Sequence, residues 1–404
     1  MERDSPAHQP PAASDRPKAL AAGYILVVAR VRDDAFAALF FESLPPDVRA
    51  HVRIFEFGRD SPVTALAGAS ALVLTRRGIF DFRTFSTVAG WLGIPRYHFL
   101  DDNFLVVREE PEAYGADWSE YTTHNLRRAL RAYTGVLLAS RPLIQYFQER
   151  KLHMRLVEYP PITWPVLRTR VPAPPGEPFR VAFFGGDHRK TLFRECVYPA
   201  IARLATRRTV EVVAAGIEPG SLPEAAGVRV VPLPYEMAYG AALRRLAAHR
   251  IDALLHPTPS SRNNPYKNEN VLINARAVGA VPVLTHTPPY DRLGTPAPAV
   301  LCDNTVDAWH AALTRLAGDA SFGDRVFEET GRYCDRHFSG KVNAEVIRGM
   351  LAAHQVPRPG VRLARSVVAA LPLELDRCYV RARRRAQQSR RLRGAFRALR
   401  GAET

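Results

Sequence analysis

Three groups of residues in this 404-residue chain combine types and spacings that chemistry can use. The first is Phe183-Phe184-Gly185-Gly186-Asp187-His188-Arg189-Lys190, an apolar run that ends in two glycines and a basic stretch. A strand that turns through Gly-Gly into a helix gathers backbone N–H groups and the positive helix end at one point. Glycine lets a ligand approach the backbone, and an anion such as a phosphate gains from the dipole. Gly185, Gly186, His188 and Lys190 are the candidates for holding it. A tight turn with a solvated basic rim is the alternative.

The second group runs from Asn263 to Gly279, NNPYKNENVLINARAVG. Asn264 and Pro265 are expected as N-cap and first residue of a helix. Val271, Leu272, Ala275 and Val278 then make a core face, and Lys267, Asn270 and Asn274 a polar stripe. Lys267 in the first turn would oppose the positive helix end. A bound anion would reverse that sign, an opposite pair at about 4 Å and an effective dielectric of about 20 being worth about 4 kcal/mol before desolvation. A lysine that extends into water is the alternative.

The third group is Asp101-Asp102-Asn103, directly after the apolar run Arg96–Leu100. Two acids at a strand's carboxyl end face the cleft of an α/β fold, where ligands bind. Adjacent extended residues point oppositely, so one of the two is expected to reach the cleft. An acid capping the next helix is the competing use. Other chemistries lack their signatures: there is no G-x-S-x-G, no H-E-x-x-H and no GxGxxG after the first strand. Cys196, Cys302, Cys334 and Cys378 form no C-x-x-C pair and are expected as reduced thiols.

The elements that must position these groups come in two sets. Strand-length apolar runs at Tyr24–Arg30, Arg53–Phe57, Ala69–Thr75, Arg96–Leu100, Gly135–Ser140 and Arg155–Tyr159 alternate with helix-length stretches. A second set follows at Phe179–Phe184, Thr209–Ala214, Val228–Leu233, Ile251–Leu255, Val281–Thr285 and Ala299–Asp303. Apolar runs without strict alternation suit parallel strands covered on both faces. Between the sets, Tyr159–Pro178 holds seven prolines in twenty residues and reads as a stiff linker. The expected fold class is therefore α/β, with two doubly wound Rossmann-like domains facing each other. The boundaries are a disordered tail over 1–22, a first domain over 23–160, a linker over 161–178, a second domain over 179–357 and a basic tail over 358–404.

A hydrophobic fraction of 47% and a charged fraction of 24% exclude a disordered, fibrous or polytopic membrane protein. Met1–Pro17 lacks the apolar core of a signal peptide, so a cytoplasmic location is expected. The net charge of +16 is local: residues 358–404 hold thirteen arginines against Glu374, Asp376 and Glu403, a net of +10. Ala364, Val367, Val368 and Leu371 mark one short amphipathic helix there, and Leu392, Phe396 and Leu399 a stripe on an arginine-rich second. Such helices bind acidic surfaces. Anionic lipid is the expected partner, with a disordered or helical solvated tail as the alternative; nucleic acid is disfavoured because the tail lacks interleaved aromatics and a reading module.

The stretch from Phe179 to about Ile347 resembles the nucleotide-binding half of GT-B glycosyltransferases, especially retaining ones of the family-four type. Strand, Gly185-Gly186, then His188-x-Lys190 and a helix is similar to their donor-phosphate turn. The segment PYKNENVLINARAVGAVPVL is similar to their donor-binding helix, and Thr287–Tyr290, Val300–Asp303 and Asp307-Ala308-Trp309 follow the family's order. Ala139–Leu143 with Tyr146 and Phe147 resembles the last helix of their first domain, with Ser140 reading as a helix cap. Many of these enzymes carry two glutamates on the donor helix; here Tyr266 and Asn274 hold those positions.

The resemblance implies a nucleotide-diphosphate-sugar donor, a glycan or lipid-linked acceptor, and neither cofactor nor obligatory metal. It places Gly185, Gly186, His188, Lys190, Lys267, Asn270 and Asn274 at the donor, and Asp102 or Asp101 at the acceptor hydroxyl. The register of Asp101-Asp102-Asn103 does not match the Asp-x-Asp metal motif of GT-A transferases. For such an enzyme the basic tail implies peripheral attachment at the inner face of the cytoplasmic membrane. Two other readings stay open: a GT-B module without turnover, suggested by Asn274, and a basic-tailed α/β nucleic-acid binder.

Overall fold

The computed structural model describes residues 23–354, apart from 30–33, 57–59, 76–82, 108–109, 111–125, 128–129 and positions 175, 219 and 235. The tails expected at 1–22 and 358–404 lie outside the described residues. The strands β1 (Tyr24–Ala29), β2 (Val52–Glu56), β3 (Ala69–Leu74), β4 (Arg96–Leu100), β5 (Gly135–Leu138) and β6 (Leu156–Glu158) form one sheet in the order 2-1-3-4-5-6. Then β7 (Phe179–Phe184), β8 (Val210–Ala215), β9 (Val228–Leu233), β10 (Ala253–His256), β11 (Val281–Thr285) and β12 (Val300–Cys302) form a second in the order 12-11-10-7-8-9. Every pairing is parallel. All twelve fall where apolar runs predict them, within two residues at each end. Helices on both faces leave the central strands wholly buried, as in β3, β10 and β11, which is why the runs do not alternate.

The strand order reverses between β1 and β3 in the first sheet and between β7 and β10 in the second. Ligands of doubly wound sheets bind at the carboxyl ends of such switch points. One apolar cluster runs through both domains, from Val27 and Phe99 to Leu243 and Leu272, with Ile162 of the linker inside it. The described residues of the linker form no helix or strand, but it is anchored: Ile162 N–H donates to Leu39 O at 2.7 Å and Leu167 N–H to Ala277 O at 2.8 Å. The helix Lys341–Ala353 crosses back to pack on β1 and β3, with the Tyr97 hydroxyl 3.1 Å from His354 Nε2 behind it.

The helical segment after β7 departs from expectation. A face of Leu192, Cys196, Ala200 and Leu204 is expected, yet Leu192 and Cys196 are only half-buried. A π turn over Phe193–Val197 separates the helices Asp187–Leu192 and Tyr198–Ala205. Ala200 and Leu204 are buried as expected, while Phe193 and Val197 of the π turn take the core positions in place of Leu192 and Cys196.

Candidate active site

A cavity of about 640 Å³ lies between the carboxyl ends of the two sheets. From the first domain it is lined by Asp34, Thr75, Asp101 and Asp102, and from the second by Gly185, Gly186, Arg189, His256, Lys267, Asn270, Asn274 and Tyr290. Seven of the nine residues singled out in the sequence thus share one space. Lys190 is half-buried but does not line it, and His188 lies in the same short helix.

Gly186 is the N-cap of Asp187–Leu192, with extended φ and ψ of −74° and 170°, so the chain turns into the helix at the cavity wall. A Cβ on Gly185 would stand 3.2 Å from Arg189 Cδ and 3.3 Å from the Phe183 ring. The side chain of Arg189 therefore lies across the glycine, and Arg189 rather than Lys190 brings positive charge to the cavity. Reading H-x-K as the basic pair passes over the residue between them. The helix phase, one residue on, selects it.

The loop expected to hold the donor is also built differently. Asn264 and Pro265 open a 3₁₀ turn, Asn264–Tyr266, not the long helix, which begins at Asn270 with Glu269 as its N-cap residue. Lys267 consequently sits in an extended link, with φ and ψ of −72° and 161°, outside any first helical turn. The charge that answers it belongs to this chain: Nζ is 3.9 Å from Asp102 Oδ1 of the first domain. Arg292 fixes the loop. It pairs with the buried carboxylate of Glu269 at 2.8 Å and donates to Pro265 O and Lys267 O at 2.7 Å each. Burial pushes the Glu269 carboxyl above its ordinary range, against the pull of Arg292.

Asn270 and Asn274, one turn apart, face the cavity from the helix Asn270–Val278, while Val271, Leu272, Ala275 and Val278 are buried as expected. The buried Tyr239 hydroxyl donates to Asn274 Oδ1. One of that carbonyl's two lone pairs is thereby used, so Asn274 offers a ligand its amide N–H groups and one acceptor site. The helix ends at Gly279 with φ of +73°, packed so closely under the linker that a Cβ would meet Arg168 O at 2.7 Å. At the back wall Tyr290 meets His256 edge-on, with centroids 5.9 Å apart, and burial pushes its phenol up to about 12.

Asp101 and Asp102 both line the cavity, against the expectation that only one would reach it. The strand ends at Leu100 and the chain bends at these two residues, so extended alternation no longer applies. Capping of the next short helix falls to Asn103, whose Oδ1 accepts from Leu105 N–H at 3.2 Å. Ser140 caps the helix Arg141–Glu149 as expected, and its Oγ also donates to Tyr266 O of the loop that carries Lys267, at 2.5 Å.

No family profile and no curated protein matches the sequence. Solved structures do match the fold. A UDP-forming α,α-trehalose-phosphate synthase from Burkholderia xenovorans, in complex with glucose-6-phosphate, superposes at a TM-score of 0.54 with 10% identity, over 81% of this chain and 100% of that one. A sucrose-phosphate synthase from Thermosynechococcus elongatus gives 0.53 with 13% identity, over 82% and 100%. A glycosyltransferase from Rickettsia africae gives 0.50 with 9% identity, over 82% and 99%. The chain has the GT-B fold.

Residues of this GT-B cleft that sequence reading passed over include Asp34, Thr75, Glu236, Tyr239, Arg245 and His256. Asp34, Thr75 and His256 were accessible to one rule: each stands at or just beyond the carboxyl end of a switch-point strand. Glu236 and Arg245, 3.1 Å apart on the far rim, carry no such signal. Among the described residues no cluster of three His, Cys, Asp or Glu side chains is placed to hold a metal ion. Among them, too, no helix is long and apolar enough to cross a membrane.

Proposed function

We propose that the chain is a glycosyltransferase that moves a sugar from a nucleotide-diphosphate sugar onto a hydroxyl of a glycan or lipid-linked acceptor. One observation carries this reading. A single interdomain cavity gathers Gly185, Gly186, Lys267, Asn270 and Asn274 from one Rossmann-like domain and Asp101 and Asp102 from the other. The UDP-forming synthase of the same fold supports a nucleoside diphosphate as leaving group.

In this reading the diphosphate lies against the backbone at Gly185-Gly186, with Lys267 and Arg189 answering its charge. The bond between the sugar carbon and the diphosphate oxygen breaks, and its electron pair leaves with the diphosphate. Fixed N–H dipoles and cations stabilise that charge without an obligatory metal. The acceptor oxygen forms the new bond, and its proton passes to Asp102, or to Asp101 beside it. Asn270 and Asn274 hydrogen-bond hydroxyls of ribose or sugar.

The tail supports a lipid-linked acceptor. Thirteen arginines over 358–404 suit an anionic membrane surface, at about 1 kcal/mol for each basic residue near it. In this reading the enzyme works peripherally at the inner face of the membrane, where lipid-linked acceptors are. Flotation with acidic liposomes tests this: a chain ending at Pro357 should lose the binding the full chain has, and equal binding contradicts it.

A binding module without turnover is the second reading, favoured by Asn274, whose carbonyl is already engaged by Tyr239. Incubation with a panel of nucleotide sugars, read by mass spectrometry for released nucleoside diphosphate, separates the two. Release that is lost in Lys267→Ala is the expected result. Binding without release supports the module, and neither binding nor release contradicts both.

A further inference from the structure

Asn263 does not line the cavity, yet it is completely buried between the two domains. Burying a primary amide is costly unless both of its ends find partners. Here both do, and both partners belong to the other domain. Oδ1 accepts from the Asn103 N–H at 2.8 Å, and Nδ2 donates to Asp102 Oδ1 at 3.0 Å. The chemistry fixes which end is which, since an N–H requires the carbonyl and a carboxylate requires the NH₂.

The rest of the loop is anchored in the same way. The Asn263 N–H donates to Ser261 Oγ at 3.1 Å, and Ser261 Oγ donates to Glu110 Oε2 at 2.9 Å. The Arg262 N–H donates to Glu110 Oε1 at 2.9 Å, and Ser140 Oγ holds Tyr266 O. The loop that carries Lys267 is thereby tied to the first domain beyond the ends of β4 and β5. Asn263 is the member of this set that grips the carboxylate placed at the acceptor.

We propose that Asn263 is a positioning residue, which sets the Asp102 carboxylate toward the acceptor hydroxyl and does so only when the two domains are docked. The inference rests on the glycosyl-transfer reading of the cavity. Lys267 approaches the same oxygen at 3.9 Å, and a donor diphosphate competes for that lysine. The amide of Asn263 is neutral and out of reach of the donor, so its hydrogen bond keeps Oδ1 oriented after the lysine turns away. Donor binding and acceptor activation are then linked through one loop.

A carboxamide exchange tests this against a purely structural staple. Asn263→Asp sets two carboxylates against each other; Asp102→Asn combined with Asn263→Asp restores an amide–carboxylate bond in the opposite sense. Melting temperature is measured alongside release of UDP from UDP-glucose with water as acceptor, or from whichever of the UDP-, GDP-, ADP- and dTDP-sugars the wild type turns over. Asn263→Asp should lower kcat about 100-fold with KM for the donor changed less than about threefold. The double exchange should recover the melting temperature and leave kcat low. Recovery of kcat together with the melting temperature overturns the proposal and makes the pair a staple. Asn263→Ser, which keeps an acceptor for Asn103 N–H but releases Asp102, serves if Asn263→Asp does not fold; a kcat within about threefold of wild type there also overturns it. A fully active Asp102→Asn variant refutes the role of Asp102 itself, and a wild type that turns over no donor refutes the underlying reading.

Discussion

The ammonium group of Lys267 stands 3.9 Å from Asp102 Oδ1, each side chain 20% exposed, and the two belong to different domains. The cleft therefore holds an internal ion pair where an anionic ligand is expected. Lys267→Met should weaken binding of a nucleoside diphosphate about tenfold, the worth of roughly 1.4 kcal/mol. It should also flatten the salt dependence of that binding, because one of the charges being screened is gone. Titration calorimetry at two ionic strengths measures both, and unchanged affinity contradicts the assignment.

Arg292 holds the Lys267 loop through Glu269 and two backbone carbonyls. Arg292→Met leaves the Glu269 carboxylate buried without its cation, at a cost of about 3 kcal/mol. The urea midpoint should fall accordingly. Nucleotide affinity should fall as well, since Lys267 O loses its anchor.

His98 on β4 is completely buried, stacks on Tyr133 with centroids 5.1 Å apart, and neither ring nitrogen has a hydrogen-bond partner among the described residues. Burial holds its pKa down at about 3. The unfolded chain takes up this proton near pH 6.5 and the folded chain does not, so stability is intact above that pH and is lost as pH falls. The loss should approach about 1.4 kcal/mol per pH unit between about pH 6 and 4. In His98→Leu the dependence of unfolding free energy on pH should lose one proton's slope over that window. An unaltered slope contradicts the assignment.

Gly279→Ala places a Cβ at a φ of +73° and 2.7 Å from Arg168 O. It should destabilise by about 1–3 kcal/mol, since backbone strain and a backbone clash act together. Gly318, where a Cβ meets nothing within 4 Å, is the matched control in a helix. Gly318→Ala should be neutral or mildly stabilising in the same melt.

The strands were legible because burial on both faces removes polar residues from a whole run, as in Ala69–Leu74 and Val281–Thr285. Their ends were legible for the same reason, and so Asp101, Asp102, Gly185 and Gly186 were found. What stayed hidden depends on non-local geometry. Asn264-Pro265 satisfies the local rules for a helix start, yet the chain makes a 3₁₀ turn there because Asn263 and Tyr266 are held by Asp102, Asn103 and Ser140 of the other domain. The π turn at Phe193–Val197 likewise shifts a helix face that strict 3.6-residue periodicity would place elsewhere. Asp34 and His256 line one cavity only because two sheets face each other, and no spacing within either segment reports that.

The most direct test of the account is whether the full chain binds a nucleoside diphosphate in the interdomain cleft. Melting curves with saturating UDP, GDP, ADP and dTDP should show at least one of them raising stability, by about 2.7 kcal/mol at a hundred times Kd. The same ligand should lose its effect in Lys267→Met. A chain whose melt is moved by none of the four, or moved equally in wild type and Lys267→Met, contradicts the account.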